Sequence, residues 1–112
     1  MERRIEERTR VDLLFNKYID GYPHVCRTID VSRSGMLLER VSEPQVDRAF
    51  YPVEIGVLEG GEVSQRIWLW AKEVWADGGR QALEFVGVED RDRKKLDRLL
   101  QRAQFAEAAA AP

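Results

Sequence analysis

Apolar side chains at every second position, in short runs set apart by glycine-containing turns, constrain this chain more than any other feature. Val53, Ile55 and Val57 form one such run, with Glu54 and Gly56 between them. Alternation of this kind places the apolar side chains on one face of an extended backbone, so each run predicts a half-buried β-strand. Three short segments are typical of the tight turns that join such strands: Asp20-Gly21, Gly60-Gly61 and Asp77-Gly78-Gly79.

The runs predict six strands, and a change of period after them predicts one helix. The strands are expected from Val11 to the Asp20-Gly21 turn, from Tyr22 to Val31, from Met36 to Leu38, from Val53 to Val57, from Val63 to Trp75 and from Ala82 to Val88. The helix is indicated by apolar residues at i, i+3, i+4 and i+7: Leu96, Leu99, Leu100 and Ala103. Because closure removes exposed strand edges, we expect a mainly β (β-rich α+β) fold, a six-stranded antiparallel β-barrel with one C-terminal α-helix.

Length and composition limit the domain organisation. A chain of 112 residues is long enough for one modest core. We expect a flexible, arginine-rich segment over 1–10, a folded domain over 11–105 and a frayed tail over 106–112. The formal net charge of -2 predicts no general attraction to nucleic acid. No run approaches the roughly 18 apolar residues that a membrane span needs, and no secretory signal is recognisable, so we expect a cytoplasmic protein without membrane insertion.

Residues suited to catalysis or metal binding are sparse. The sequence contains no phosphate-binding loop motif and no nucleophile elbow, and its paired carboxylates lie among arginines, so we expect no enzyme. His24 and Cys26 are the only residues of their types, and two ligands fall short of a zinc site. We expect Cys26 to be a small buried hydrophobe and His24 a surface or turn residue.

Strict alternation also predicts which side chains share a face. In the second strand, Val25, Ile29 and Val31 would lie on one face and Cys26, Thr28 and Asp30 on the other. In the fifth strand, Trp68 and Trp70 would share a face. Two interpretations of these indoles stay open: packing in the core or against the helix, and exposure on a surface that meets a partner protein.

Two arginines four residues apart, Arg4 and Arg8, precede the first strand on a polar segment. A guanidinium donates two parallel hydrogen bonds, stacks on flat rings and carries a fixed charge, which suits a guanine nucleotide. The spacing alone is weak evidence, because an exposed helical face gives the same pattern. Arg98 and Arg102 repeat it within the predicted helix, where a solvated outer face explains them.

A second motif, Asp30-x-Ser32-x-x-Gly35, lies at the end of the second strand. The Asp30 carboxylate is able to accept from the N1–H and amino group of guanine, and the Ser32 hydroxyl bonds in either direction. Gly35 permits close backbone approach or a positive φ. The alternative is a simple turn between two strands, in which Asp and Ser bond to their own backbone.

The order of the two motifs, with one strand and a turn between them, resembles the PilZ family of cyclic di-GMP receptors. The segments E-R-R-x-x-x-R, T-I-D-V-S-R-S-G-M-L-L and L-E-F-V-G-V-E-D-R-D-R-K-K-L-D-R-L-L carry the resemblance across nearly the whole chain. It implies a non-catalytic receptor in which Arg4 and Arg8 grip the nucleotide from the N-terminal segment, while Asp30, Ser32 and Gly35 bind it from the barrel surface.

The resemblance also implies a stoichiometry and a mode of action. Arg3 stands just before the first motif arginine, where an arginine favours two stacked nucleotides, so we expect an intercalated pair of cyclic di-GMP molecules, with Arg3 and Arg10 neutralising the additional phosphates. We expect the receptor to signal to a protein effector that controls motility, pili or exopolysaccharide. The alternative within the same family is an interaction module that works without ligand.

Overall fold

The strands of this protein close into a ring. The computed structural model describes residues 8–41, 48–59 and 61–110. Its elements are β1 (Thr9–Arg10), β2 (Leu14–Ile19), β3 (Tyr22–Val31), β4 (Gly35–Arg40), β5 (Phe50–Glu59), β6 (Glu62–Asp77), β7 (Arg80–Gly87) and α1 (Asp90–Ala110). The sheet has the order β1-β3-β2-β5-β6-β7-β4, and an additional pairing of β3 with β4 closes it. The expectation of a mainly β chain with one C-terminal helix is confirmed.

The core lies inside this ring, and helix α1 contributes to it. Apolar residues that face inward are almost fully buried, including Phe15, Val53, Ile55, Ile67 and Leu69. Leu96 and Leu100 of α1 join the same cluster, which is why the helical period was detectable in the sequence. Within the described residues, no helix has both the length and the apolar composition that crossing a bilayer requires.

The turn between β2 and β3 forms as its sequence predicts. Asp20 and Gly21 both adopt positive φ values, 53° and 88°. This conformation suits a two-residue hairpin, because it matches the right-handed twist of the paired strands. The Asp20 carboxylate also accepts hydrogen bonds from the Arg48 guanidinium, at 2.7 Å from Nη2 and 3.1 Å from Nε, which lowers the pKa of the Asp20 carboxyl.

The first expected strand begins later than predicted, at Leu14, and a separate short strand, β1, precedes Val11. Strands β1 and β2 pair with the same strand, β3, but the backbone at residues 11–13 leaves the ladder. There the Thr28 hydroxyl accepts from the Leu13 N–H at 2.9 Å and donates to the Val11 carbonyl. The Thr28 N–H donates to the Leu13 carbonyl at 2.9 Å. One buried threonine therefore supplies partners for three backbone groups at the break: the Val11 carbonyl, the Leu13 N–H and the Leu13 carbonyl.

The second strand does not keep strict alternation, and the predicted division of its faces is wrong. Cys26 and Thr28 are buried, at 0% and 2% exposure, while Asp30 on the same predicted face is only partly buried and turns outward. The register between β3 and β4 shifts between Thr28 and Asp30, the signature of a β-bulge. The extra residue, Ile29, moves every later side chain to the opposite face.

Regular structure begins at Thr9 and ends at Ala110 within the described residues. Thr9 and Arg10 pair with Val31 and Asp30, and Thr9 is fully buried. Helix α1 continues to Ala110. The alanines and glutamate of this last stretch have high intrinsic helix propensity.

We predict that Thr28→Val destabilises the protein by about 1–3 kcal/mol, because it leaves the Val11 carbonyl and the Leu13 N–H without their partner. Valine keeps the branched shape, so packing changes little. Thr28→Ser keeps the hydroxyl and is the matched control, expected to lose about 1 kcal/mol for the missing methyl group. Urea denaturation of the three proteins measures the difference, and an equal loss in both variants would contradict the role assigned to the hydroxyl.

Candidate functional site

A cleft of about 320 Å³ lies where the end of β3 and the start of β4 meet strands β6 and β7. Its lining brings together both predicted motifs: Arg8, Asp30, Ser32, Ser34, Gly35, Met36, Val74, Trp75, Ala82, Leu83 and Glu84. The volume is at the lower end of the range for small-molecule sites. Cationic, anionic, hydroxyl and aromatic groups all face it.

Arg8 reaches this cleft because β1 runs antiparallel to the end of β3. Thr9 is paired with Val31 and both are buried, so the residues that flank them point outward. The Arg8 guanidinium lies 3.7 Å from the Asp30 carboxylate, measured from Nη1 to Oδ1. The Arg8 side chain is 70% exposed and that of Asp30 20% exposed. The ion pair joins the N-terminal motif to the strand motif at the mouth of the cleft.

The residues after Asp30 form a compact loop. The Ser32 N–H donates to the Gly35 carbonyl at 2.8 Å, and the Ser34 N–H donates to the Ser32 hydroxyl at 3.2 Å. The Ser34 carbonyl accepts from the N–H of Phe85 on β7 at 2.7 Å. The turn interpretation of this motif is therefore correct in geometry, and the same turn presents Ser32 and Ser34 to the cleft.

The sheet requires a glycine at Gly35 because the backbone of β7 approaches it closely. Its φ is not positive, so backbone conformation is not the reason. It pairs with Glu84 across the junction of β4 and β7. A Cβ atom at this position would lie 2.4 Å from the Leu83 carbonyl oxygen, much closer than van der Waals contact allows. The final residue of the motif thus lets two strands of the cleft wall come together, so its first role is architectural.

Trp75 is the aromatic residue among the cleft residues that the sequence analysis did not predict. Its indole is 46% exposed and lines the cleft opposite Asp30 and Ser32. The register between β6 and β7 shifts between Glu73 and Trp75, and this irregularity turns the indole towards the cleft. The only sequence signal was the position of Trp75 just before the Asp77-Gly78-Gly79 turn, which does not reveal which strand lies across from it.

Trp68 and Trp70 lie on the outer surface, so of the two open interpretations the structure supports exposure. They are 45% and 53% exposed. The Trp68 ring centroid lies 5.7 Å from that of Tyr18. Desolvation and the nearby Glu54 carboxylate raise the pKa of the Tyr18 hydroxyl.

The remaining predicted residues differ in how they relate to the cleft. Arg3 and Arg4 lie outside the described residues. Arg10 is exposed, and it stands opposite Asp30 in the register of β1 and β3. Arg98 lies on the exposed face of α1, as expected for the pair that repeats the motif spacing. In the described ranges, no three His, Cys, Asp or Glu side chains are grouped as metal ligands would be.

Comparison with known structures supports this architecture. The chain is similar to the inhibitor of motility MotI/DgrA of Bacillus subtilis, with 16% identity, a TM-score of 0.70 and 95% of this chain covered. It spans about half of that protein's length, 53%. The PilZ domain of CeSA from a cellulose-synthesising bacterium has 21% identity and a TM-score of 0.65, with 88% of this chain and 98% of that domain covered.

A third similar structure is the PilZ domain of YcgR from Escherichia coli, solved with c-di-GMP. It has 16% identity and a TM-score of 0.69, with 98% of this chain and all of that domain covered, 100%. No curated protein sequence matches the chain. The model of the PilZ domain family matches residues 2–102, which include both motifs and most of helix α1. The chain belongs to the PilZ domain family.

Proposed function

We propose that this protein is a non-catalytic receptor for cyclic di-GMP, and that it closes its N-terminal arginine segment over the nucleotide. The observation that carries the proposal is the Arg8–Asp30 ion pair at the mouth of a cleft that also holds Ser32 and Trp75. Arg4 would act with Arg8, as the motif implies. The c-di-GMP in the similar PilZ domain of E. coli YcgR supports the same ligand class.

The cleft offers a partner for each part of a guanine nucleotide. The Arg8 guanidinium is able to donate to the O6/N7 edge of the base or to phosphate. Asp30 accepts from N1–H and the amino group, and Ser32 bonds to base or phosphate. The exposed indole of Trp75 suits the face of a purine. Gly35 supports these groups by keeping β4 against β7.

The receptor acts, in this proposal, by changing the surface that a protein effector meets. Closure of the N-terminal segment on the cleft would alter the protein surface around the cleft. The similar MotI is an inhibitor of motility, and the similar CeSA domain comes from a cellulose-synthesising bacterium. Motility, pili and exopolysaccharide production are therefore the outputs that we propose for the effector.

A second candidate is a protein-interaction module that works without nucleotide. The exposed rings of Trp68 and Trp70 favour it, because tryptophans are enriched at the centres of protein interfaces. These rings lie on the outer face of β6, whereas the cleft offers Arg8 to the phosphates and Asp30 to the N–H edge of a guanine nucleotide. A nucleotide titration separates the two candidates, since only the receptor requires saturable binding.

We predict that wild-type protein binds cyclic di-GMP saturably and that Arg8→Ala weakens binding at least about tenfold, because it removes a charge-assisted contact. Isothermal titration calorimetry measures the affinity, with circular dichroism to verify the fold. Arg98→Ala is the matched control, since Arg98 belongs to the other pair of the same spacing, and its affinity should equal that of wild type. An unaffected Arg8→Ala variant, or no heat with wild type, would contradict the proposal.

We predict that Trp75 stacks on a guanine base. In a Trp68→Phe/Trp70→Phe background, cyclic di-GMP should quench the fluorescence of the remaining indole in a saturable manner. Trp75→Ala should raise the dissociation constant about five- to 150-fold, which corresponds to about 1–3 kcal/mol for one stacked base. If the fluorescence stays constant while calorimetry detects binding, no guanine base stacks on Trp75 and the prediction is wrong.

We predict two cyclic di-GMP molecules per chain for the wild type, because Arg3 supplies a further cation for the phosphates of an intercalated pair. Arg3→Leu should reduce the stoichiometry to one, and Arg10→Ala should weaken the second binding step. Calorimetry and native mass spectrometry both report the number bound. A single nucleotide on the wild type would refute the role of Arg3 while leaving the receptor function intact.

A further inference from the structure

Arg33, which stands at an unspecified position (x) of the Asp30-x-Ser32-x-x-Gly35 motif, connects the cleft to helix α1. Its neighbours Ser32 and Ser34 face the cleft. The Arg33 guanidinium instead donates from Nε to the Asp97 carboxylate of α1 at 2.8 Å. The Arg33 carbonyl accepts a hydrogen bond from the Arg93 guanidinium of the same helix. The motif loop is thus held to α1 by its backbone and by its side chain.

The same face of α1 also contacts β1, the strand that directly follows Arg8. The Gln104 amide donates from Nε2 to the Thr9 hydroxyl at 3.0 Å, and Thr9 directly follows Arg8. Arg93, Asp97 and Gln104 are separated by four and seven residues, close to whole numbers of helical turns, so they lie on one face. That face therefore contacts both the motif loop and β1, the strand between Arg8 and the break at residues 11–13.

The rest of α1 is anchored independently of these contacts. Leu96 and Leu100 are buried in the core, at 0% and 4% exposure. Near the start of the helix, Asp92 accepts from the Trp68 N–H at 3.2 Å, and Lys95 donates to the Arg66 carbonyl at 3.0 Å. Removing one polar contact to the motif loop therefore leaves the helix docked, which makes the contact testable without unfolding the protein.

We propose that Arg33 is a positioning residue, which holds the motif loop against α1 through Asp97 and so couples nucleotide occupancy to this helix. The inference rests on the proposed nucleotide site. The Arg33 and Asp97 side chains are 55% and 37% exposed, so their pairing is a surface ion pair of modest strength. Coupling is reciprocal: a loop held by α1 binds nucleotide more tightly, and bound nucleotide holds α1 more firmly.

The test uses the full chain and the variant Asp97→Ala, which removes the contact without removing any group from the cleft. Its dissociation constant for cyclic di-GMP should rise about two- to fivefold in calorimetry, the range that a surface ion pair supports. Arg33→Ala should give a similar rise, and the double variant should give no further rise, because both changes break one interaction. Arg98→Ala, an exposed change one residue along the helix, should have no effect.

Hydrogen exchange provides a readout that a general loss of stability would not reproduce. Without nucleotide, Asp97→Ala should speed exchange at the amides of Ser34 and Phe85 while urea denaturation detects little change in global stability. With nucleotide, exchange around Arg93 and Gln104 should slow in wild type and not in Asp97→Ala. Unchanged loop exchange in the variant, or equal affinity of all variants, would overturn the proposal.

The two hypotheses fail in different ways. If wild-type protein binds no cyclic di-GMP, the proposed function is refuted and the coupling to nucleotide with it. The exchange measurement without nucleotide still decides whether Asp97 positions the loop. If wild type binds and the Asp97→Ala variant matches it in affinity and in exchange, the receptor stands and the role of Arg33 is refuted.

Discussion

The β-bulge in β3 is the constraint on which the rest of this structure depends. A regular strand would place Thr28 and Asp30 on the same face, and burying one would bury both. The register shift between them places Thr28 in the core and turns Asp30 outward. Thr28 then satisfies the backbone where β1 and β2 separate, and Asp30 faces Arg8. One irregularity thus serves both the closure of the ring and the assembly of the cleft.

The cleft motif combines structural and chemical roles in a few residues. Gly35 allows β4 to approach the Leu83 carbonyl of β7, which builds one wall of the cleft. Ser32 and Ser34 complete a hydrogen-bonded turn and also present their hydroxyl groups to the cleft. The turn interpretation and the binding interpretation of the sequence are therefore compatible, because the turn fixes the positions of the groups that would bind.

The two arginine pairs illustrate how tertiary context separates identical spacings. Arg98 lies on the exposed face of a helix whose opposite face is buried through Leu96 and Leu100. Arg8 precedes a short strand whose pairing with β3 brings its guanidinium to Asp30. Arginine has the same chemistry in both places. The cleft beside Arg8, not the spacing, distinguishes them.

The sequence by itself determined the features that depend on neighbouring residues. The alternating runs, the Asp20-Gly21 turn and the period of α1 follow from local sterics and amphipathicity. The two motifs contain four residues that line one cleft: Arg8, Asp30, Ser32 and Gly35. Only the tertiary structure decided that Trp75 lines the cleft. It also decided which face of β3 is buried and that Arg33 contacts α1. These features depend on register between strands distant in sequence, which local pattern does not encode.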